Sequence, residues 1–116
     1  MLYTVYLMRL QNEKFYVGLT PSWRLKLREA EHARGSGAKW TGRYPPIEII
    51  ETWEFENKQE AELFEIQKTE EYLHLHGIDS TRGGLCNYGK EGGYKYWVRP
   101  HLRHLIPPPS KYYSPL

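Results

Sequence analysis

The 116-residue chain is 40% hydrophobic and 26% charged, an ordinary globular balance that excludes a largely disordered polymer and leaves room for one compact core. No apolar run approaches the roughly 20 residues of a membrane helix, and the opening Met1-Leu2-Tyr3-Thr4-Val5-Tyr6 lacks the basic segment and apolar stretch of a secretion signal, so the chain reads as soluble, cytoplasmic and not secreted. Cys86 is the only cysteine, which excludes an internal disulfide and argues against a cysteine-built zinc site.

The net charge of +2 conceals a segregation. Residues 1–44 carry eight Lys/Arg against three Asp/Glu, residues 45–89 three against ten, and residues 90–116 five against one. Such a layout can turn a cationic face to phosphates while carboxylates hold a metal; it also fits an acidic helix solvated between basic segments.

The first element is a β-hairpin. Residues 2–10 and Phe15-Tyr16-Val17-Gly18-Leu19 are rich in aromatic and β-branched side chains and flank the polar break Gln11-Asn12-Glu13-Lys14. Thr20 can cap a helix with Pro21 in its first position, and Trp23, Leu27 and Ala30 recur at helical spacing until Gly35 and Gly37 stop it. Arg24, Arg28 and His32 lie four apart on a neighbouring stripe. After Pro45-Pro46, Ile47–Trp53 reads as a third strand. A second helix is expected from Lys58 to His76, with Ala61, Phe64, Tyr72 and Leu75 on its apolar side and Gly77 as its stop. Beyond Gly77 the pattern weakens. The expected class is α+β: a three-stranded antiparallel sheet flanked by helices, occupying residues 1–89. Residues 90–116 form an irregular basic, aromatic and Pro-rich extension packed on the same domain.

Thr4-Val5-Tyr6, nine residues, then Tyr16-Val17-Gly18 resembles the paired motifs that give the GIY-YIG nucleases their name. Further matches follow in order. Arg28 and His32 resemble the family's R-x-x-x-H element, Gly35-Ser36-Gly37-Ala38-Lys39-Trp40-Thr41 its glycine-rich exit, Glu65 its metal-binding glutamate, and Asn87 a late asparagine of many members. The resemblance spans about residues 3–88 and departs at Thr4, which stands where the first glycine of the name motif would be. It implies an endonuclease using one Mg²⁺ or Mn²⁺ ion, with DNA the leading substrate and 5′-phosphate and 3′-hydroxyl ends as products. Tyr6, Tyr16, Arg28, His32, Glu65 and Asn87 would be the catalytic positions.

The side chains suit those roles. Glu65 offers hard carboxylate oxygens to an ion that keeps several waters. Arg28 is a fixed cationic fork for phosphate oxygens. Tyr6 could pass a proton if its phenol is held near Arg28, with Tyr16 and His32 positioning water or sharing the transfer. Plainer readings exist for each: the tyrosines as half-buried core aromatics, Arg28 as a surface partner of Glu31, Glu65 as one of several helix carboxylates, and Asn87 as a turn cap. Arg24, Lys39, Arg43, Arg82, Lys90, Lys95 and Arg99 are the candidate phosphate contacts, those of the tail alternating with Tyr94, Tyr96 and Trp97. The rings of the tail could instead cover the sheet. A nucleic-acid-binding module of the same fold that does not cut is one alternative, and a protein-interaction domain using Pro107–Tyr113 is another. A homodimer or a targeting partner would suit so small a domain, and a nucleoid-associated location would suit a DNA substrate.

Overall fold

A computed structural model describes residues 1–77 and 79–83. Its order is strand β1 (Tyr3–Leu10), strand β2 (Lys14–Pro21), helix α1 (Leu25–Ala33), helix α2 (Lys39–Arg43), strand β3 (Pro46–Phe55), helix α3 (Lys58–His76) and strand β4 (Thr81–Arg82). The sheet runs β3-β1-β2-β4. Strands β1, β2 and β3 form the expected antiparallel set, and β4 adds a short fourth strand parallel to β2. Asn87, Lys90, Lys95, Arg99 and the extension from residue 90 lie outside the described residues.

Strand β1 sits between two antiparallel partners, so its backbone bonds on both edges and its side chains sort by parity onto two faces. Tyr6, Met8 and Leu10 join Tyr16 and Trp40 in one core. Val5 and Leu7 join Val17 and Ala61 in the other, against Phe64 and Tyr72 of α3. Burial on both faces explains why β1 reads as an almost unbroken apolar run. The hairpin reverses over Asn12 and Glu13, both at positive φ (62° and 57°).

Helix α3 has the boundaries its sequence predicts. Asn57 Oδ1 accepts the Glu60 N–H at 3.0 Å, the arrangement that starts a helix at Lys58. Gly77, at φ +87°, ends it by donating its N–H to Leu73 O at 2.9 Å. No helix among the described residues is long and apolar enough to cross a membrane.

The first helix differs from expectation. Thr20 is not a cap: β2 continues through Pro21, with Thr4 paired to Thr20 and Tyr3 to Pro21. The Thr4 and Ser22 hydroxyls bond at 2.7 Å, and Ser22 N donates to Leu2 O, so the chain stays tied to β1 until Ser22. A 3-10 turn, Ser22–Arg24, then leads into α1. The buried residue of α1 is His32, whereas Trp23 and Leu27 are 68% and 55% exposed. Polar bonds made by the other stripe, rather than the apolar spacing, decide which face turns inward. In α3 likewise, Leu73 is buried and Leu75 is 65% exposed. The glycine-rich exit folds into α2, whose Trp40 donates Nε1–H to Phe15 O at 3.0 Å.

Truncating Leu73 should therefore cost about 2–5 kcal/mol as a buried Leu→Ala change, while Leu75→Ala stays within about 0.5 kcal/mol. Urea denaturation of the two variants separates them, and equal losses would contradict the facing of α3.

Candidate active site

The hairpin register builds the first part of the site. Tyr6 lies opposite Gly18, and Met8 opposite Tyr16, so both tyrosines project from the same face two positions apart. Their ring centroids are 6.3 Å apart. Gly18 makes this possible, since a Cβ there would lie 2.2 Å from Cζ of Tyr6 and 2.3 Å from its hydroxyl oxygen. The Tyr6 ring rests on bare backbone. Thr4, at the motif's departure from glycine, is accommodated by the Ser22 hydroxyl.

Helix α1 brings His32 to the tyrosines. Its Nε2 is 2.7 Å from the Tyr6 hydroxyl, and its ring lies 5.8 Å from that of Tyr6 and 5.1 Å from that of Tyr16. Nδ1 is 2.7 Å from Thr41 Oγ1 of α2, so both ring nitrogens are engaged in a fully buried setting. Gly37 is the counterpart of Gly18, because a Cβ there would stand 2.5 Å from Nδ1.

Arg28, one turn before His32, brings a positive charge to bear on the Tyr6 phenol. It also bonds Glu31 Oε1 at 3.2 Å, and Arg24 bonds Glu31 Oε2 at 3.2 Å. The surface pairing of Arg28 and its approach to Tyr6 thus coexist. Glu65 is 3% exposed on α3, its Oε1 is shut off from solvent, and its charge reaches Tyr6.

Burial is the largest influence on the Tyr6 phenol and raises its pKa; the Tyr16 and Glu65 charges add to this, and Arg28 opposes it. Burial likewise pushes His32 down to about 4, helped by the Arg28 charge. For Arg28, burial alone would lower the pKa, but the charge of Tyr6 and the bond to Glu31 outweigh it and the net shift is upward. Glu31 is lowered, first by the Arg28 hydrogen bond. At neutral pH the centre is therefore a protonated phenol against a neutral imidazole beside the Arg28 guanidinium, with the side chain of Glu65 buried nearby.

Five of the six expected catalytic positions, Tyr6, Tyr16, Arg28, His32 and Glu65, fall in one neighbourhood. Asn87 lies outside the described residues. Lys39 and Arg43 occupy the two ends of α2 and are exposed. Arg82 is buried, its guanidinium 4.1 Å from the centre of the Trp40 ring and donating to Thr81 O, so its charge is inside the fold. Glu31, Thr41 and Gly37 belong to the site beyond the expected set. The spacing of Glu31 from Arg24 and Arg28 was a sequence signal for it; Gly37 and Thr41 lay within the glycine-rich exit, where no feature singled out the Thr41 hydroxyl.

The sequence pattern of the GIY-YIG catalytic domain matches residues 2–76. The UPF0213 protein of Clostridium perfringens (strain 13 / Type A) is 35% identical over 89 residues, covering 75% of this chain and 94% of its own length. The UPF0213 proteins of Halalkalibacterium halodurans and Natronomonas pharaonis are 32% identical over 63 residues and 37% over 57; the first alignment covers 54% of this chain, the second 49%, and each covers 65% of the relative. No solved structure matches the chain significantly.

Two outcomes follow from this geometry. Gly18→Ala should lose about 1–3 kcal/mol through overpacking against the Tyr6 ring; unchanged stability in urea would mean that the ring can swing away. In an NMR titration the His32 imidazole should protonate near pH 4, far below the ordinary value of about 6.5. Between those values the unfolded chain binds more protons than the folded one, so the stability contributed by neutral His32 is complete above about pH 6.5 and declines as pH falls toward 4. A His32 midpoint near 6.5 would overturn the buried, neutral assignment.

Proposed function

The chain belongs to the GIY-YIG family of nuclease domains, and on that premise we propose that it is a divalent-metal-dependent endonuclease. It hydrolyses nucleic-acid phosphodiester bonds, DNA foremost, and leaves 5′-phosphate and 3′-hydroxyl ends. The observation that carries this reading is the 2.7 Å bond between the Tyr6 hydroxyl and His32 Nε2, with Arg28 and Glu65 acting on the same phenol.

The donor set is compatible with one Mg²⁺ or Mn²⁺ ion. Among the described residues no group of three or more His, Cys, Asp or Glu could hold a metal, and a lone buried glutamate suits an ion that retains most of its waters. Glu65 would hold it, and the bound ion would supply Lewis-acid chemistry at the phosphate.

The protein's own part is proton management and charge placement. As the attacking water gives its proton to the Tyr6 oxygen, the phenol proton moves to His32 Nε2; the water oxygen forms the new bond to phosphorus while the bond from phosphorus to the 3′ oxygen breaks. That oxygen takes a proton from solvent, and His32 then returns its proton to Tyr6 as the phenol releases one to solvent. One proton is handed along, and neither Tyr6 nor His32 has to hold an isolated charge beforehand. Arg28 stabilises the negative charge that develops on the phenol and the phosphate. Tyr16, its ring tilted against that of His32, orients the water. Arg24, Lys39 and Arg43 draw in the neighbouring phosphates without reading sequence.

Labelled duplex, branched and single-stranded DNA and RNA, each incubated with and without Mg²⁺, test the reading directly. Glu65→Gln should abolish cleavage while folding and binding persist. Tyr6→Phe should keep the fold and lower the single-turnover rate by roughly 10²–10⁴-fold. Arg28→Lys should be nearly as damaging as Arg28→Ala, mainly in kcat. Full activity of Tyr6→Phe or Glu65→Gln would reject the mechanism, and salt-sensitive binding by a wild-type protein that never cuts would favour the non-cleaving module.

A further inference from the structure

The histidine at the centre of the site ends in a hydrogen-bond chain whose direction can be worked out atom by atom. Thr41 Oγ1 donates its one proton to Ala38 O at 3.0 Å. Towards His32 Nδ1, 2.7 Å away, the same oxygen is then left with lone pairs only, so it must accept. Nδ1 therefore carries the imidazole proton. A neutral imidazole has one N–H, which leaves Nε2 as a bare lone pair facing the Tyr6 hydroxyl, and the phenol donates to it. Arg28, whose charge acts on the phenol, has only donors. The polarity runs one way: Tyr6 to His32, His32 to Thr41, Thr41 to the backbone.

Turning the chain round would require two concessions. With the proton on Nε2, the Tyr6 oxygen would have to accept from His32, and its own proton would lose the imidazole acceptor. Thr41 would also have to withdraw its proton from Ala38 O and point it at Nδ1. Both ends of the chain thus favour one tautomer, and Thr41 is the member that fixes it from behind. It is well placed for this, being fully buried in α2 with a hydroxyl whose direction is set by the carbonyl one turn earlier. Gly37 lets the ring approach, but it makes no bond that would choose between the nitrogens.

We infer that Thr41 is a positioning residue for the cleavage reaction, holding His32 in the Nδ1–H form so that Nε2 stays open to receive the Tyr6 proton. Thr41 neither takes nor gives a net proton. When the phenol proton moves to Nε2, the imidazolium keeps its Nδ1–H on Thr41 Oγ1, and the return of that proton leaves the chain as it began. The inference rests on the Tyr6–His32 reading for its effect on rate, but not for the tautomer itself.

Thr41→Val removes the hydroxyl at nearly constant volume, and Thr41→Ser retains it. Nitrogen-15 NMR of labelled histidine in the full chain reports which ring nitrogen bears the proton. The wild type and Thr41→Ser should show Nδ1–H, with cleavage kinetics close to each other. Thr41→Val should gain the Nε2–H form and lose about 10–100-fold in kcat, the range found when the partner that orients a functional histidine is removed, with KM little changed. If Thr41→Val folds poorly, Thr41→Ala and the wild-type spectrum decide. A wild-type protein with Nε2–H, or a Thr41→Val protein that keeps the wild-type tautomer, overturns the inference whatever the cleavage rates. A tautomer that shifts while kcat stays the same also overturns it, by showing that His32 Nε2 takes no part in the rate. Wild-type protein that does not cut any substrate refutes the nuclease mechanism instead, and the spectra then still report whether Thr41 sets the proton.

Discussion

The burial of β1 on both of its faces is the constraint around which the rest is arranged. Strand partners take up its backbone groups on each edge and helices cover its faces, so the side chains from Thr4 to Met8 are buried on one side of the sheet or the other, and Arg9 reaches solvent to pair with Glu48. Odd positions meet α3 and make an apolar layer. Even positions meet the α1–α2 side, where Tyr6 brings a polar group into an otherwise apolar cluster. That hydroxyl needs a partner, and His32 supplies it, with the Arg28 charge acting on the same phenol. The face of α1 that turns inward follows from that requirement, which is why Trp23 and Leu27 are left outside.

Electrostatically the site sets charged groups beside a buried pair that stays neutral at neutral pH. Burial disfavours ionisation of both Tyr6 and His32, and so leaves a neutral pair at neutral pH. Charge is held beside it by Arg28 with Glu31, and the Glu65 side chain is buried nearby. A neutral hydrogen-bonded pair beside fixed charges can respond to an arriving phosphodiester by shifting one proton over a short distance. An exposed tyrosine with an ordinary pKa near 10 would have neither the neighbouring base nor the protected surroundings.

Much of this was legible in the sequence, for reasons that differ by element. The hairpin showed because two runs of aromatic and β-branched side chains flank a polar turn, and α3 showed because Ala61, Phe64 and Tyr72 recur at helical spacing ahead of the stop at Gly77. The shared face of Tyr6 and Tyr16 was legible because their spacing is set by a turn that sequence defines. The start of α1 was not legible, since Thr20-Pro21 has the chemistry of a helix cap and only the pairing with β1 overrides it. Neither was the facing of α1, where a nonpolar stripe was outweighed by buried polar bonds, nor the burial of Arg82, which depends on Trp40 arriving from another element. The role of the Thr41 hydroxyl was invisible for the same reason: it lies in a contact with His32, nine residues earlier.

The two glycines against the site rings have a consequence for entropy. Gly18 lies under Tyr6 and Gly37 beside His32, so main chain approaches the bonded pair at both of its members. Main chain cannot rotate aside as a side chain would, and the rings consequently have few rotamers left. Rotamer freedom, up to about 2 kcal/mol for a flexible buried side chain, is surrendered when the domain folds rather than when nucleic acid arrives. The pair is stiff before any substrate is present, and no part of the binding energy has to be diverted to aligning it.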